Sequence, residues 1–266
     1  MLKTILKELF CFLGFDISRK KPTHYEYLLS YPRYKELDVN LLGKEFRIVD
    51  SLSFYWSFRE IFLEKIYSFK SNKKAPVILD CGSNCGVGIL FFKKKYPESM
   101  IFAVEADPRI YEVLKRNINN RNYENITIIN KAISLKEKEV VFYTEGADGG
   151  RIHPIDNGQE YVIVESISLD DLIVEEVDFL KLDIEGEETD VIISCNKLNK
   201  VSNIFIEYHS FVNKEQSLDK ILYKLHNEKF RYYIHTQFCS QSPFVKEKSE
   251  FGMDLKLNIF AKKIGK

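Results

Sequence analysis

From residue 77 the chain alternates short apolar runs with amphipathic stretches, and that rhythm predicts its architecture. VILDCG (77–82) has the continuous apolar character of a strand buried on both faces, and the pattern over 89–96 predicts a helix. MIFAVEA (100–106) predicts a second strand, and Pro108, tolerated in a helix's first turn, opens a helix to about 121. ITIINKAI (126–133) predicts a third strand. Three such units in a row imply a parallel sheet with right-handed crossovers. The rhythm then breaks. EVVFYTE (139–145) and YVIVESISL (161–169) flank a glycine-rich loop with no crossover helix between them, which predicts an inserted β-hairpin. DFLKLDIE (178–185), a helix starting near 187, NIFIEYH (203–209) and a helix near 215–229 restore the alternation. RYYIHTQF (231–238) and LNIFAKK (257–263) bring the principal strands to seven, the last two with no room for a helix between them. A closing antiparallel strand fits that ending.

The reading divides the chain into an N-terminal helical extension over 1–70 and a main domain over 71–266. MLKTILKELFCFLGF places Leu2, Ile5, Leu6, Leu9, Phe10 and Leu13 at helical spacing. Lysines interrupt it too early for a secretory segment, and no apolar run approaches a membrane span. Its apolar face is expected to dock on the domain or on a second copy, as in a homo-oligomer, with a membrane surface as the alternative. Lys plus Arg and Asp plus Glu are both 39, a zero balance that argues against the broad basic face nucleic acid requires. Cys11, Cys81, Cys85, Cys195 and Cys239 are odd in number and form no CxxC pair, which predicts reduced thiols in a cytoplasmic setting.

In an open parallel sheet, ligands bind beyond the carboxyl ends of the strands. Four polar clusters fall at such ends: residues 80–88, Glu105-Ala-Asp107, Asp183-Ile-Glu185-Gly-Glu187 and Glu207-Tyr-His209. Gly82, Gly86 and Gly88 read GxxxGxG, which is neither the dinucleotide fingerprint GxGxxG nor the phosphate loop GxxxxGK[ST]. Asp80 can accept a hydrogen bond from a cationic amine or a loop N–H. Glu105 closes the second strand 19 residues after Gly86, placed to accept from both ribose hydroxyls of an adenosine. That geometry serves NAD and S-adenosylmethionine alike. The missing fingerprint favours the sulfonium cofactor, which has no phosphates to cradle.

DCGSNCGVGILFF, VEADPRIY, NKAIS, SLDDL and VDFLKLDIEGEE, in that order across 77–209, resemble the successive motifs of the FkbM family of methyltransferases. The chain has Asp-Cys-Gly-Ser-Asn-Cys-Gly where the family usually reads Asp-Val-Gly-Ala-Asn-x-Gly. The resemblance implies a Rossmann-like class I methyltransferase: an α/β fold with a mostly parallel seven-stranded sheet, carrying the β-hairpin insertion and the N-terminal helical extension. It implies S-adenosyl-L-methionine as cofactor, with Asp80, Gly82, Asn84 and Gly86 at its methionine part and Glu105 at the ribose. Ala106 belongs to the same cofactor-binding set, and Asn130 with Ala132 would lie near the adenine. The implied reaction is O-methylation of a hydroxyl on a sugar or sugar nucleotide, in polysaccharide or secondary-metabolite biosynthesis. Residues 1–70 and those after 210 match none of these motifs, and substrate identity is expected to reside there.

An alcohol acceptor must lose its proton as the C–O bond forms. Asp183, Glu185, Glu187, Glu207 and His209 are the candidates, with Asp183, Glu207 and His209 the expected catalytic set. His209 suits a base near neutrality; Asp183 could be the base or fix the acceptor; Glu185 is expected to point away, because strand neighbours alternate faces. The same three residues could hold a hard cation, Mg²⁺ or Mn²⁺. Tyr143, Arg151, His153 and the loop 239–255 are plausible acceptor contacts. Two alternatives remain at this level: an NAD-dependent oxidoreductase, and a non-catalytic cofactor-binding protein of the same fold.

Overall fold

The computed structural model describes residues 24–135, 138–147, 149–152, 154 and 158–265. The amphipathic N-terminal stretch, with the homo-oligomer reading placed on it, and His153 lie outside them.

The described part of the extension is helical over Glu26–Ser30, Ser51–Phe58 and Arg59–Glu64 but also carries a β-hairpin the sequence reading did not include. Strands β1 (Leu37–Leu41) and β2 (Lys44–Ile48) pair antiparallel. The period-two signal is present in the sequence: Val39, Leu41, Phe46 and Ile48 are buried while their neighbours face out. Helix α1 (Ser51–Phe58) follows, its first turn capped by the Asp50 carboxylate, which accepts from Ser53 N at 2.9 Å. A π-helical turn over Arg59–Glu64 extends it. This segment is not a separate unit, for Tyr25, Phe46, Phe54 and Phe58 share one apolar core with Ile78, Leu90, Phe92 and Leu114.

The predicted alternation then appears as β3 (Val77–Cys81), α2 (Val87–Lys95), β4 (Met100–Val104), α3 (Pro108–Asn119) and β5 (Ile126–Ile129). The third strand read from the sequence is in fact divided. The Asn130 amide donates to the carbonyls of Glu105 (2.9 Å) and Ala106 (3.0 Å), and the chain leaves the sheet there. Residues beyond it form β6 (Ala132–Ile133), which joins β7 (Glu139–Tyr143) and β8 (Tyr161–Ile167) in a second sheet ordered β6-β8-β7. The inserted hairpin is thus β7–β8, with β6 as a third strand.

The remainder runs α4 (Leu169–Leu172), β9 (Phe179–Leu182), α5 (Glu188–Ser194), β10 (Asn203–Phe211), α6 (Leu218–Asn227), β11 (Phe230–Cys239) and β12 (Met253–Lys263). The central sheet has seven strands in the order β11-β12-β10-β9-β3-β4-β5. Only β12 runs against the others, inserted between β10 and β11, so the antiparallel closure is as read. Successive strand residues feed opposite cores: Ile78, Phe179 and Phe205 enter one, Leu79, Leu180 and Ile206 the other. Strand order reverses at β3, which pairs with both β4 and β9. Beyond the carboxyl ends of β3, β4, β9 and β10 lies the crevice that such a reversal opens.

Candidate active site

Gly82 sets the geometry of the first loop. Its φ is +83°, and a Cβ there would stand 1.9 Å from the carbonyl oxygen of Asp183. Only a residue without a side chain lets the end of β3 press against the end of β9. Lys181 completes that junction from below. Its buried ammonium donates to the Gly82 carbonyl and lies 3.2 Å from Asp183 Oδ2 and 3.7 Å from Asp80 Oδ1. Burial works against this charge, but Asp183, Tyr67 and Asp80 outweigh it and hold the pKa well above the ordinary lysine value. Sequence reasoning passed over Lys181, although a lysine inside the apolar run FLKLD was the available signal.

A cavity of about 210 Å³ occupies the crevice. On its wall stands Glu105, just past the end of β4. Its carboxylate oxygens accept from Asn84 N at 2.8 Å and Asp107 N at 2.9 Å, and each oxygen keeps a second lone pair for a ribose hydroxyl. Burial pushes the Glu105 pKa up to about 7 against the pull of those two N–H groups. On the same cavity wall, Asp80 Oδ2 is buried without a hydrogen-bond partner. A buried carboxylate oxygen in that condition fits a cationic amine. Glu105 and Asp80 therefore suit the ribose and the ammonium group of S-adenosylmethionine, with chemistry this chain already presents.

Asp183, Glu185 and Glu207 line the same cavity with Lys256 and, from the π-helical turn after α1, Glu60. Register accounts for the first pair: Ile206 of β10 lies beside Leu182 of β9, so Glu207 and Asp183 follow side by side. Glu185 does not point away. β9 ends at Leu182, and Glu185 takes a left-handed φ of +57° that turns its side chain back to the cavity. A non-glycine residue held there is mildly strained, as is common at functional sites. Glu207 pairs with Lys256 Nζ at 2.6 Å; burial opposes its charge, but Lys256 and His209 outweigh it and hold its pKa below the carboxylate range. The Asp183 carboxyl is pushed up to about 6 by burial and by Glu207, and Glu60 to about 7 by the same two causes.

His209 is the main departure from the sequence reading. The ring does not wall this cavity. Its side chain has 0% exposure, with Nδ1 3.0 Å from Glu188 Oε1 and Nε2 3.3 Å from Glu207 Oε2. Burial disfavours its charge, but Glu185 and Glu188 win and raise the pKa well above that of free imidazole. An enclosed ring so held has no path to an acceptor in that cavity. The geometry therefore corrects the expectation of His209 as general base.

Of the other expected residues, Asp80, Gly82, Asn84, Glu105, Ala106 and Ala132 line the cavity. Gly86 and Asn130 do not: Gly86 turns the chain into α2, and Asn130 braces the Glu105–Ala106 backbone. Arg151 reaches the site through Glu185, 3.7 Å away. Glu187, Tyr143 and the loop 239–255 stand off the cavity wall. Trp56 and Glu60, one helical turn apart, are on it, which sequence reasoning missed because their segment had no motif to mark it.

Residues 80–232 match the Methyltransferase FkbM domain. The chain belongs to the FkbM methyltransferase family. Methyltransferase sdnD of Sordaria araneosa is 36% identical over 77 residues, covering 26% of this chain and 30% of that protein. The 2-O-methyltransferase NoeI of Sinorhizobium fredii is 29% identical over 158 residues, covering 51% of this chain and 64% of that protein. The chain thus spans less than two thirds of either relative. Among solved structures, M. jannaschii TYW2 in complex with AdoMet is 16% identical with a TM-score of 0.47, covering 88% of this chain and 89% of that one. The seven-stranded, mostly parallel sheet is the Rossmann-like class I fold, and FkbM membership sets aside the oxidoreductase alternative. Trp56, Glu60 and Lys256 lie outside the span matched to the FkbM domain.

Proposed function

We propose that this FkbM protein transfers a methyl group from S-adenosylmethionine to a hydroxyl of a sugar or sugar nucleotide, in polysaccharide or secondary-metabolite synthesis. The observation that carries the reading is one cavity joining Asp80 and Glu105 to the carboxylates Asp183, Glu60 and Glu207. The cofactor supplies an electrophilic methyl group. The chain's own residues do the rest: Glu105 and Asp80 fix the nucleoside and the amine, and Asp183 accepts or holds the proton of the acceptor hydroxyl. Carboxylates that take hydroxyl hydrogen bonds, with Trp56 offering a ring face, suit a polyhydroxylated ring better than an apolar one. NoeI, a relative named as a 2-O-methyltransferase, supports oxygen as the methylated atom.

The test is transfer of a labelled methyl group from S-adenosylmethionine to a panel of sugar nucleotides. Binding of S-adenosylhomocysteine with no product anywhere would instead favour the non-catalytic reading. The homologue should stabilise the protein by mass action, and Glu105→Ala should weaken its binding by about a hundredfold or more, since it removes two charge-assisted hydrogen bonds worth about 1.5–3 kcal/mol each. An unchanged thermal shift in Glu105→Ala would show that the ribose is held elsewhere. Affinity for S-adenosylhomocysteine should also rise with pH through about 7 and then level, because only the ionised Glu105 accepts from both hydroxyls. Calorimetry across pH 5.5–8.5 (a window about 1.5 units either side of that pKa) would show that limb flattened in Glu105→Gln.

A further inference from the structure

We propose that Asp183, Glu185, Glu207 and His209 form a binding site for one divalent cation of the Mn²⁺ or Mg²⁺ type, with Glu188 holding the histidine ring as its outer partner. One ligand atom from each of the four residues lies within 4.8 Å of all the others. Two ligands on opposite sides of a cation, each about 2.2 Å from it, stand about 4.4 Å apart. Shifts of a few tenths of an ångström, roughly that difference, close the set around one ion.

The histidine separates this cluster from an ordinary acidic patch. Glu188 accepts backbone N–H bonds from Ile184 at 3.1 Å and Gly186 at 3.0 Å, and its Oε1 also stands 3.0 Å from His209 Nδ1. Glu188 Oε1 acts as an acceptor toward both backbone N–H groups, so Nδ1 carries a hydrogen and donates it to Glu188. That leaves Nε2 as the free end of the ring. It is buried and has no hydrogen-bond partner, although Glu207 Oε2 lies at 3.3 Å and Glu185 Oε2 at 3.7 Å. An imidazole with one N–H on a carboxylate and the other nitrogen aimed, unbonded, among further carboxylates is the arrangement of a metal-bound histidine. A proton on Nε2 faces the same oxygens without making a well-directed bond to any of them; a cation would use its lone pair and all three carboxylates together, sharing Glu207 Oε2 with Lys256 Nζ, which stands 2.6 Å from it.

Three carboxylates and one imidazole, with no thiolate, suit Mn²⁺ or Mg²⁺ rather than a softer ion. Asp183, Glu185 and Glu207 also line the cofactor cavity, so the cation would be open to acceptor oxygens on that side. That last role rests on the proposed O-methyl transfer; the binding site itself does not.

The experiment is a titration of chelator-treated, full-length protein with Mn²⁺, followed by the paramagnetic resonance signal of the free ion. One bound Mn²⁺ per chain is expected, with a spin-echo modulation from a directly coordinated nitrogen. Glu185→Gln and His209→Gln should each weaken binding by about tenfold or more, and His209→Gln should also remove the nitrogen modulation. No bound Mn²⁺ at millimolar concentration, bound Mn²⁺ without nitrogen modulation, or undiminished affinity in a folded Glu185→Gln protein would each overturn the site. Should the enclosed His209→Gln variant fail to fold, the Glu185→Gln titration and the wild-type modulation decide the matter. These readouts use neither cofactor nor acceptor, so they stand or fall apart from methyl transfer.

Discussion

Asp183→Asn is expected to lower methyl transfer by about a hundredfold or more, the usual range for loss of a proton-handling group, while S-adenosylhomocysteine binding stays near wild type. The side chain stands just past the end of β9 on the cavity wall, while Glu105 stands past the end of β4. Asparagine keeps the shape and the ability to accept a hydrogen bond, but it cannot take a proton or carry charge. Lys181 loses the charge of its 3.2 Å partner in the variant yet keeps Asp80 and the Gly82 carbonyl, so the loop should hold. The measurement is turnover on whichever sugar nucleotide is methylated, beside calorimetry with S-adenosylhomocysteine. Near wild-type turnover would move the proton to another group, with Glu60 next in line. Affinity falling in parallel with turnover would make Asp183 a cofactor ligand instead.

Gly82→Ala should show the largest effect on stability. A Cβ at that position overlaps the Asp183 carbonyl oxygen at 1.9 Å, and the backbone φ is +83°. The left-handed conformation alone costs an alanine about 1–2 kcal/mol, and forcing two strand ends apart adds about 1–3 kcal/mol. The sum, about 2–5 kcal/mol, predicts a fall in the thermal midpoint of about 4–10 °C at this chain length. Gly43 supplies the comparison, because its φ is +79° but nothing stands within 4 Å of its would-be Cβ. Gly43→Ala should cost only the conformational part, about 1–2 kcal/mol. Equal thermal shifts in the two variants would show that the contact between the β3 loop and the end of β9 contributes nothing.

The order of strands, the antiparallel closure and the place of the crevice were legible along the chain, because each rests on a local signal. Continuous apolar runs mark strands buried on both faces, as at 77–82, and glycine with acidic residues marks where such strands end. Glu105 and Asp80 were legible for the same reason: position at a strand end determines which way each side chain can reach. The β1–β2 hairpin had its alternating signal too, but nothing chemical drew attention to it.

Other features depended on contacts between distant residues, which no local pattern records. The side-chain bond of Asn130 to the Glu105 and Ala106 carbonyls divides an eight-residue apolar run into strands of two different sheets. Trp56 and Glu60 enter the site because α1 packs on the core across from the glycine loop, and Lys256 because β12 inserts beside β10. For His209 the sequence by itself determined a titratable ring two residues beyond Glu207 on the same strand face. Only the tertiary structure decided its chemistry: Glu188, 21 residues earlier, holds Nδ1, while Glu185 and Glu207 surround Nε2. The physical reason is that a side chain's charge state and reach depend on burial and on neighbours brought together by folding, whereas its place on a strand depends only on residues beside it in the chain.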